Sequence, residues 1–259
     1  MCLLVLAWMS HPRYRLVAAA NRDEFHDRPA TPLGWWNDDK RVLAGRDLRA
    51  GGTWMGVTRA GRFGVVTNFR DLESPPAPDT PSRGTLVPGF LASDAPPSAF
   101  LQHLHESAAR YAGFNLLVAG AGTLHYYTNR DDAGPHRLAP GIYGLSNHWL
   151  DSPWPKLVRT RERFAAALAS AAPGTPELFD LLADRERAAD GLLPDAGMPP
   201  DWERTLSSPF VLHERYGTRC STVLLAGHDG RTVVLERRFD AAGQQTGATR
   251  LEFAGDEPR

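Results

Sequence analysis

Cysteine is scarce: Cys2 and Cys220 are the two in 259 residues. Two cysteines build no disulfide framework and no zinc-ligand spacing. No C-x-x-C-H stretch occurs, so covalent haem attachment is excluded. Neither sign of charge is in excess. The 29 Lys and Arg residues offset 30 Asp and Glu, for a formal net charge of −1. Nucleic acid and an anionic membrane surface are therefore not expected partners. No apolar run approaches the length of a bilayer span. The apolar N-terminal stretch lacks a basic n-region and a small-residue cleavage site, so it is not a secretory signal. A cytoplasmic location is the expectation. Repeats, low-complexity tracts and clear linkers are also missing, and a single domain over 1–259 is expected. The nine histidines show no metal-ligand pattern. Nothing in the sequence speaks to oligomeric state.

What is present begins at the second residue. Met1-Cys2 is followed by Leu3-Leu4-Val5-Leu6-Ala7-Trp8. Removal of the initiator methionine, usual before a small residue, would make Cys2 the amino terminus. One residue would then carry both a thiol and an α-amine, whose reference pKa of about 7.7–8.0 suits it to act as the thiol's base. A cysteine near the start of a buried strand can equally be a small core residue.

Along the chain, strands come in hairpins. Leu3 to Trp8 turns at Ser10-His11-Pro12-Arg13 and returns over Tyr14 to Ala20. The absence of alternation in the first run predicts burial on both faces. The returning strand runs into Asn21-Arg22-Asp23-Glu24, and hairpin register carries that polar cluster to the start of the first strand. Residues 25–41 read as a long loop. A second hairpin spans Thr53 to Asn68, and 72–83 reads as a proline-rich surface loop. A helix is expected over Pro97 to Arg110, and a third hairpin over Phe114 to Thr128. A short strand, Ile142 to Ser146, ends at Asn147. Helices are expected over Lys156 to Ala171 and over Pro176 to Arg187, the latter capped by Thr175. Residues 190–209 read as irregular, and the last strands run from Arg219. Hairpins with helices between them predict an α+β fold: two antiparallel sheets flanked by helices, a four-layer αββα sandwich.

Polar residues at the ends of apolar strands form the candidate site: Arg22, Asp23, Asn68, Asn147 and Arg219. Acyl chemistry needs a nucleophile, a base and oxyanion donors. Cys2 would supply the first two. Asn68 and Asn147 can donate to an oxyanion, Arg22 or Arg219 can lower the thiol pKa, and Asp23 can hold the α-amine. Each has a structural alternative: an Asn turn, an Arg22 ion pair with Asp23 or Glu24, a solvated Arg219. Cys220 reads as core. Trp35, Trp36, Trp54, Trp149 and Trp154 either wall an apolar pocket or fill the core.

The ordered set Met1-Cys2, Asn21-Arg22-Asp23-Glu24, Gly51-Gly52-Thr53-Trp54, Val66-Thr67-Asn68-Phe69-Arg70, Gly144-Leu145-Ser146-Asn147 and Thr218-Arg219-Cys220-Ser221-Thr222 resembles the NRDE family, that of transport and Golgi organisation protein 2. That family in turn looks like the N-terminal nucleophile (Ntn) hydrolases. The resemblance to their cysteine acylases implies a catalytic set of Cys2, Arg22, Asp23, Asn68, Asn147 and Arg219, acting on an acyl amide without a cofactor. The family's biology implies a different role: a non-catalytic carrier in haem trafficking or in handling acyl-CoA and other lipids. A small apolar or acyl-containing ligand, or haem held non-covalently, is the expected partner.

Overall fold

The computed structural model describes residues 3–70, 79–170, 173–194 and 196–255. The first strands are β1 (Leu3–Trp8), β2 (Tyr14–Phe25), β3 (Ala30–Trp35), β4 (Leu43–Asp47), β5 (Met55–Val57) and β6 (Phe63–Asn68). Helices α1 (Leu86–Ala92) and α2 (Pro97–His105) follow, then β7 (Phe114–Gly120), β8 (Thr123–Thr128), β9 (His136–Leu138) and β10 (Gly141–Leu145). The chain ends in α3 (Pro155–Leu168), α4 (Thr175–Leu182), α5 (Pro200–Leu206), β11 (Tyr216–Gly227), β12 (Arg231–Phe239) and β13 (Gln245–Ala254). The fold is α+β. Two compact units form: the chain up to Asp27 with Pro140–Glu252, and Arg28–Ala139 with the chain from Phe253.

The first unit is built on a six-stranded antiparallel sheet of order β10-β1-β2-β11-β12-β13. Alternate residues decide its faces. Leu3, Val5, Val17, Ala19, Val223 and Leu225 pack against Leu157 and Phe164 of α3 and Leu178 and Phe179 of α4. Leu4, Leu6, Ala18, Ala20 and Leu224 point the other way and are equally buried. This is why β1 carries no polar alternation.

The second unit holds a seven-stranded antiparallel sheet, β3-β4-β5-β6-β7-β8-β9. Val66, Phe114, Leu116, Val118 and Tyr127 meet Val87, Phe90 and Leu91 of α1 and Leu101 of α2. Backbones approach closely at the Gly51-Gly52 turn. A Cβ on Gly52 would overlap the Gly84 carbonyl group, while Thr53 N donates to that same oxygen at 2.9 Å. Gly52→Ala is expected to destabilise the protein by about 3 kcal/mol, the cost of forcing backbone apart. Gly89→Ala, on open helical surface, should instead stabilise by about 0.5–1 kcal/mol. Urea unfolding of the pair checks both signs.

His125 adds a pH dependence to this unit. Its ring is buried on β8, and burial, then the charges of Arg137 and His136, lower its pKa below the ordinary 6.5. The unfolded chain therefore binds more protons than the folded one below that ordinary value. The contribution is complete above it and lost as pH falls through it toward the lower folded value. Thermal melts at pH 7.5 and 5.5 should show a drop on acidification that His125→Gln reduces.

Several local expectations need correction. The stretch 25–41 is not all loop: Ala30–Trp35 is an edge strand on β4, tolerating Pro32 because the register shifts between Thr31 and Gly34. The helix expected over 97–110 stops at His105, with a separate 3-10 turn at Ala108–Arg110. Helix α3 ends at Leu168. Thr175 is the first residue of α4 rather than its cap, which is Gly174. That helix stops at Leu182, five residues early, where a buried side chain captures its last carbonyl (below). The irregular stretch 190–209 contains α5. Of the loop over 72–83, residues 72–78 lie outside the described residues, and Arg83–Thr85 form a 3-10 turn.

Candidate functional site

Strand β2 does not stop at Asn21. It continues to Phe25 by pairing with β11, with Asn21 opposite Ser221, Arg22 opposite Cys220 and Asp23 opposite Thr218. Arg219 is the extra residue, a β-bulge of the kind that re-aims a side chain. Likewise β11 begins at Tyr216, so Arg219 sits inside the strand rather than at its start.

Strand alternation then divides the tetrapeptide between faces. Asn21 points toward α4 and is fully buried. Its Nδ2 donates to Leu182 O at 2.8 Å and Pro209 O at 2.9 Å, and its Oδ1 accepts from Ser221 Oγ at 2.6 Å. Arg22 is buried on the opposite face, its Nη2 3.9 Å from Glu24 Oε2. Asp23, also buried, accepts from Thr218 Oγ1 at 2.7 Å, and that hydroxyl in turn accepts from Val211 N at 2.9 Å. Glu24 Oε1 accepts from the Phe25 amide.

Leu3 pairs with Asn21 and Leu4 with Leu145. The start of β1, the tetrapeptide and the end of β10 therefore share one end of the sheet, as hairpin register predicts. Asn147 follows β10, buried, in a left-handed conformation with φ of 55°. Asn tolerates that region better than most side chains. The turn behind it is fixed: Asp151 Oδ1 accepts from Gly144 N at 2.7 Å and lies 2.8 Å from Arg161 Nη1. Downstream, Ser152 Oγ donates to Trp149 O and lies 2.8 Å from His148 Nδ1, while the His148 ring stacks on Trp154 at 5.3 Å.

Of the residues singled out from sequence, Arg22, Asp23, Asn147 and Arg219 thus gather at this end of the first unit's sheet. Asn68 belongs to the second unit, exposed at the end of β6. Its neighbour Thr67 is buried in a chain of bonds, accepting from Asn115 Nδ2 at 3.2 Å, while Tyr126 OH donates to Asn115 Oδ1 at 2.7 Å. Cys2 lies outside the described residues.

Cys220 shares the face of Arg22. Burial, reinforced by Glu236 and partly offset by Arg22, pushes its thiol well above the ordinary value. It stays protonated and inert, a core residue as expected. Trp36 and Trp154 also fill cores, whereas Trp149 is exposed.

Three residues at this end escaped sequence reading. Thr218 holds Asp23; it lies inside a quoted motif but reads there as an ordinary strand residue. Glu236 is buried with Arg238 Nη1 3.3 Å away. Its alternation with Arg238 mimics a solvated face. His26 receives Arg219, whose Nη1 donates to His26 O at 2.7 Å; its only signal was closeness in sequence to the tetrapeptide. Among the described residues, no cluster of three or more His, Cys, Asp or Glu is arranged to hold a metal ion. No helix there is long and apolar enough to cross a membrane.

The family model for Transport and Golgi organisation 2 matches residues 1–241. The chain belongs to that family. Among members similar to it, the mouse Transport and Golgi organization 2 homolog is 33% identical, with 92% of each chain covered. The Bos taurus homolog is 34% identical over 92% of each chain. The Drosophila melanogaster Transport and Golgi organization protein 2 is 26% identical over 91% of each. Among solved structures, the chain is similar to a Caenorhabditis elegans N-acylethanolamine-hydrolyzing acid amidase ortholog. The TM-score is 0.45 at 11% identity, covering 86% of this chain and 92% of that one.

Proposed function

We propose that this Transport and Golgi organisation 2 family member hydrolyses an acyl amide, with Cys2 as nucleophile after removal of Met1. The observation that carries the reading is the pairing of Leu3 with Asn21. Cys2 is one residue from Leu3, a Cα step of about 3.8 Å. Leu3 starts its strand at the sheet end that also bears Arg22, Asp23, Asn147 and Arg219. Buried charge, a left-handed Asn and a bulge at one end of a sheet are features that collect at functional sites.

In this reading the α-amine takes the thiol proton and the thiolate attacks the acyl carbon. Asn147 donates to the oxyanion. Arg22 and Arg219 favour the thiolate by their positive charge. The protonated amine passes its proton to the leaving nitrogen, the C–N bond breaks, and a thioester remains. Water attacks the thioester, releasing the carboxylic acid and restoring the thiol. No step requires a metal or an organic cofactor.

Intact-mass measurement of the purified protein is the first test, and loss of Met1 is expected. Incubation with N-acyl amides of graded chain length, followed by mass spectrometry of the released acid, is the second. Retention of Met1 in a protein that still hydrolyses, or release untouched by Cys2→Ala, would overturn the mechanism. Tight binding of an acyl lipid or haem without turnover would make the protein a carrier instead.

A further inference from the structure

We infer that His26 is a positioning residue for Arg219, an inference that rests on the Cys2-centred reading. Arg219 is the bulged residue of β11, so no strand register fixes its side chain. Its Nη1 meets His26 twice, donating to the carbonyl oxygen at 2.7 Å and lying 3.4 Å from Nδ1. Its Nε is buried with no hydrogen-bond partner among the described residues. One end of the guanidinium is thus held, and one residue holds it.

His26 is itself locked. Its amide donates to Arg215 O at 3.0 Å, and its Nε2 lies 3.0 Å from His213 O. A carbonyl can only accept, so Nε2 carries the proton and Nδ1 is left as the acceptor that faces Arg219. Gly217 leaves room for this arrangement. A Cβ there would sit 2.9 Å from Val211 O and 3.2 Å from His26 Cε1. The imidazole therefore links the 213–215 turn to the cation and sets where its charge stands.

Two substitutions separate positioning from mere support. Asn carries an acceptor where His has Nδ1 but cannot reach His213. Gln reaches His213 but leaves Arg219 only the main-chain carbonyl, without the acceptor that stands at Nδ1. The readout is the rate of Cys2 alkylation by iodoacetamide across pH, with peptide mass spectrometry separating Cys2 from Cys220. Arg219→Gln should slow Cys2 at neutral pH about tenfold, as a thiol pKa raised by one unit requires. His26→Gln, which keeps the main-chain carbonyl, should slow it in the same direction by a smaller factor. The double variant should be no slower than Arg219→Gln alone, since without the cation His26 has nothing to position. His26→Asn should keep the wild-type profile, even with a lower Tm. If Arg219→Gln shifts the profile while His26→Gln does not, the positioning role is wrong and the proposed site stands. If His26→Asn slows Cys2 as much as His26→Gln does, the histidine only supports the fold. If Arg219→Gln itself changes nothing, Arg219 leaves the Cys2 site, and the inference falls with that part of the proposed function.

Discussion

Asn21→Ala will be among the most destabilising single substitutions in the chain, costing about 3–5 kcal/mol, because three buried groups lose their partner together. Asn21 Nδ2 serves the carbonyls of Leu182 and Pro209, and Oδ1 serves the Ser221 hydroxyl. Leu182 closes α4, and its carbonyl has no further helical turn to receive it. Pro209 lies in the segment that leads back to β11. One side chain therefore ties β2 to two segments more than 160 residues away in sequence. A melting temperature lower by roughly 10 °C is expected for a unit of this size. Asn21→Asp should be worse than Ala at neutral pH, since a carboxylate would turn lone pairs toward two carbonyls in a dry site. It should recover partly on acidification, when protonation returns one donor. A melting temperature within a degree or two of wild type for Asn21→Ala would mean that the freed carbonyls find other donors.

Cys2→Ala is expected to lower acyl-amide hydrolysis by at least about 10³-fold, the scale on which losing a covalent nucleophile is felt. That corresponds to about 4 kcal/mol of transition-state stabilisation. Melting temperature should barely change, which separates this prediction from that for Asn21. Cys2→Ser is the sharper probe. It keeps the α-amine and the shape but offers a hydroxyl that is far harder to ionise, so binding should survive while turnover falls nearly as far. A protein with Met1 retained should behave like the serine variant, because its amine is one residue out of place. If wild type and both variants bind an acyl lipid alike and none releases acid, the carrier role takes over. A haem titration followed at the Soret band then decides whether haem or lipid is the cargo.

Asn21 and Cys2 both belong to the ordered set of motifs, yet one prediction concerns the fold and the other the chemistry. From sequence, the four residues of the tetrapeptide form one polar cluster. Asn21 carries its strongest structural role, and nothing in its local context says so. Its partners are Leu182, Pro209 and Ser221, set by how α4 and β11 meet the sheet. Arg219 tells the same story: as sequence it begins a strand, whereas the pairing of β2 with β11 makes it a bulge held by His26.

What the sequence determined by itself rests on short-range patterns. The unbroken apolar run Leu3–Trp8 implied burial on both faces, the turn at 10–13 set the first hairpin, and that hairpin brought Leu3 beside Asn21. Gly and turn residues marked the later hairpins, and the ordered motifs carried the family. The tertiary structure alone decided the length of β2, the edge strand through Pro32, the end of α4 at Leu182, and the opposite faces taken by Asn21 and Arg22. The physical reason is range. Periodicity and turn chemistry act within a few residues, but strand extension, bulges and buried polar partners depend on which distant backbone lies alongside, and local preference does not encode that.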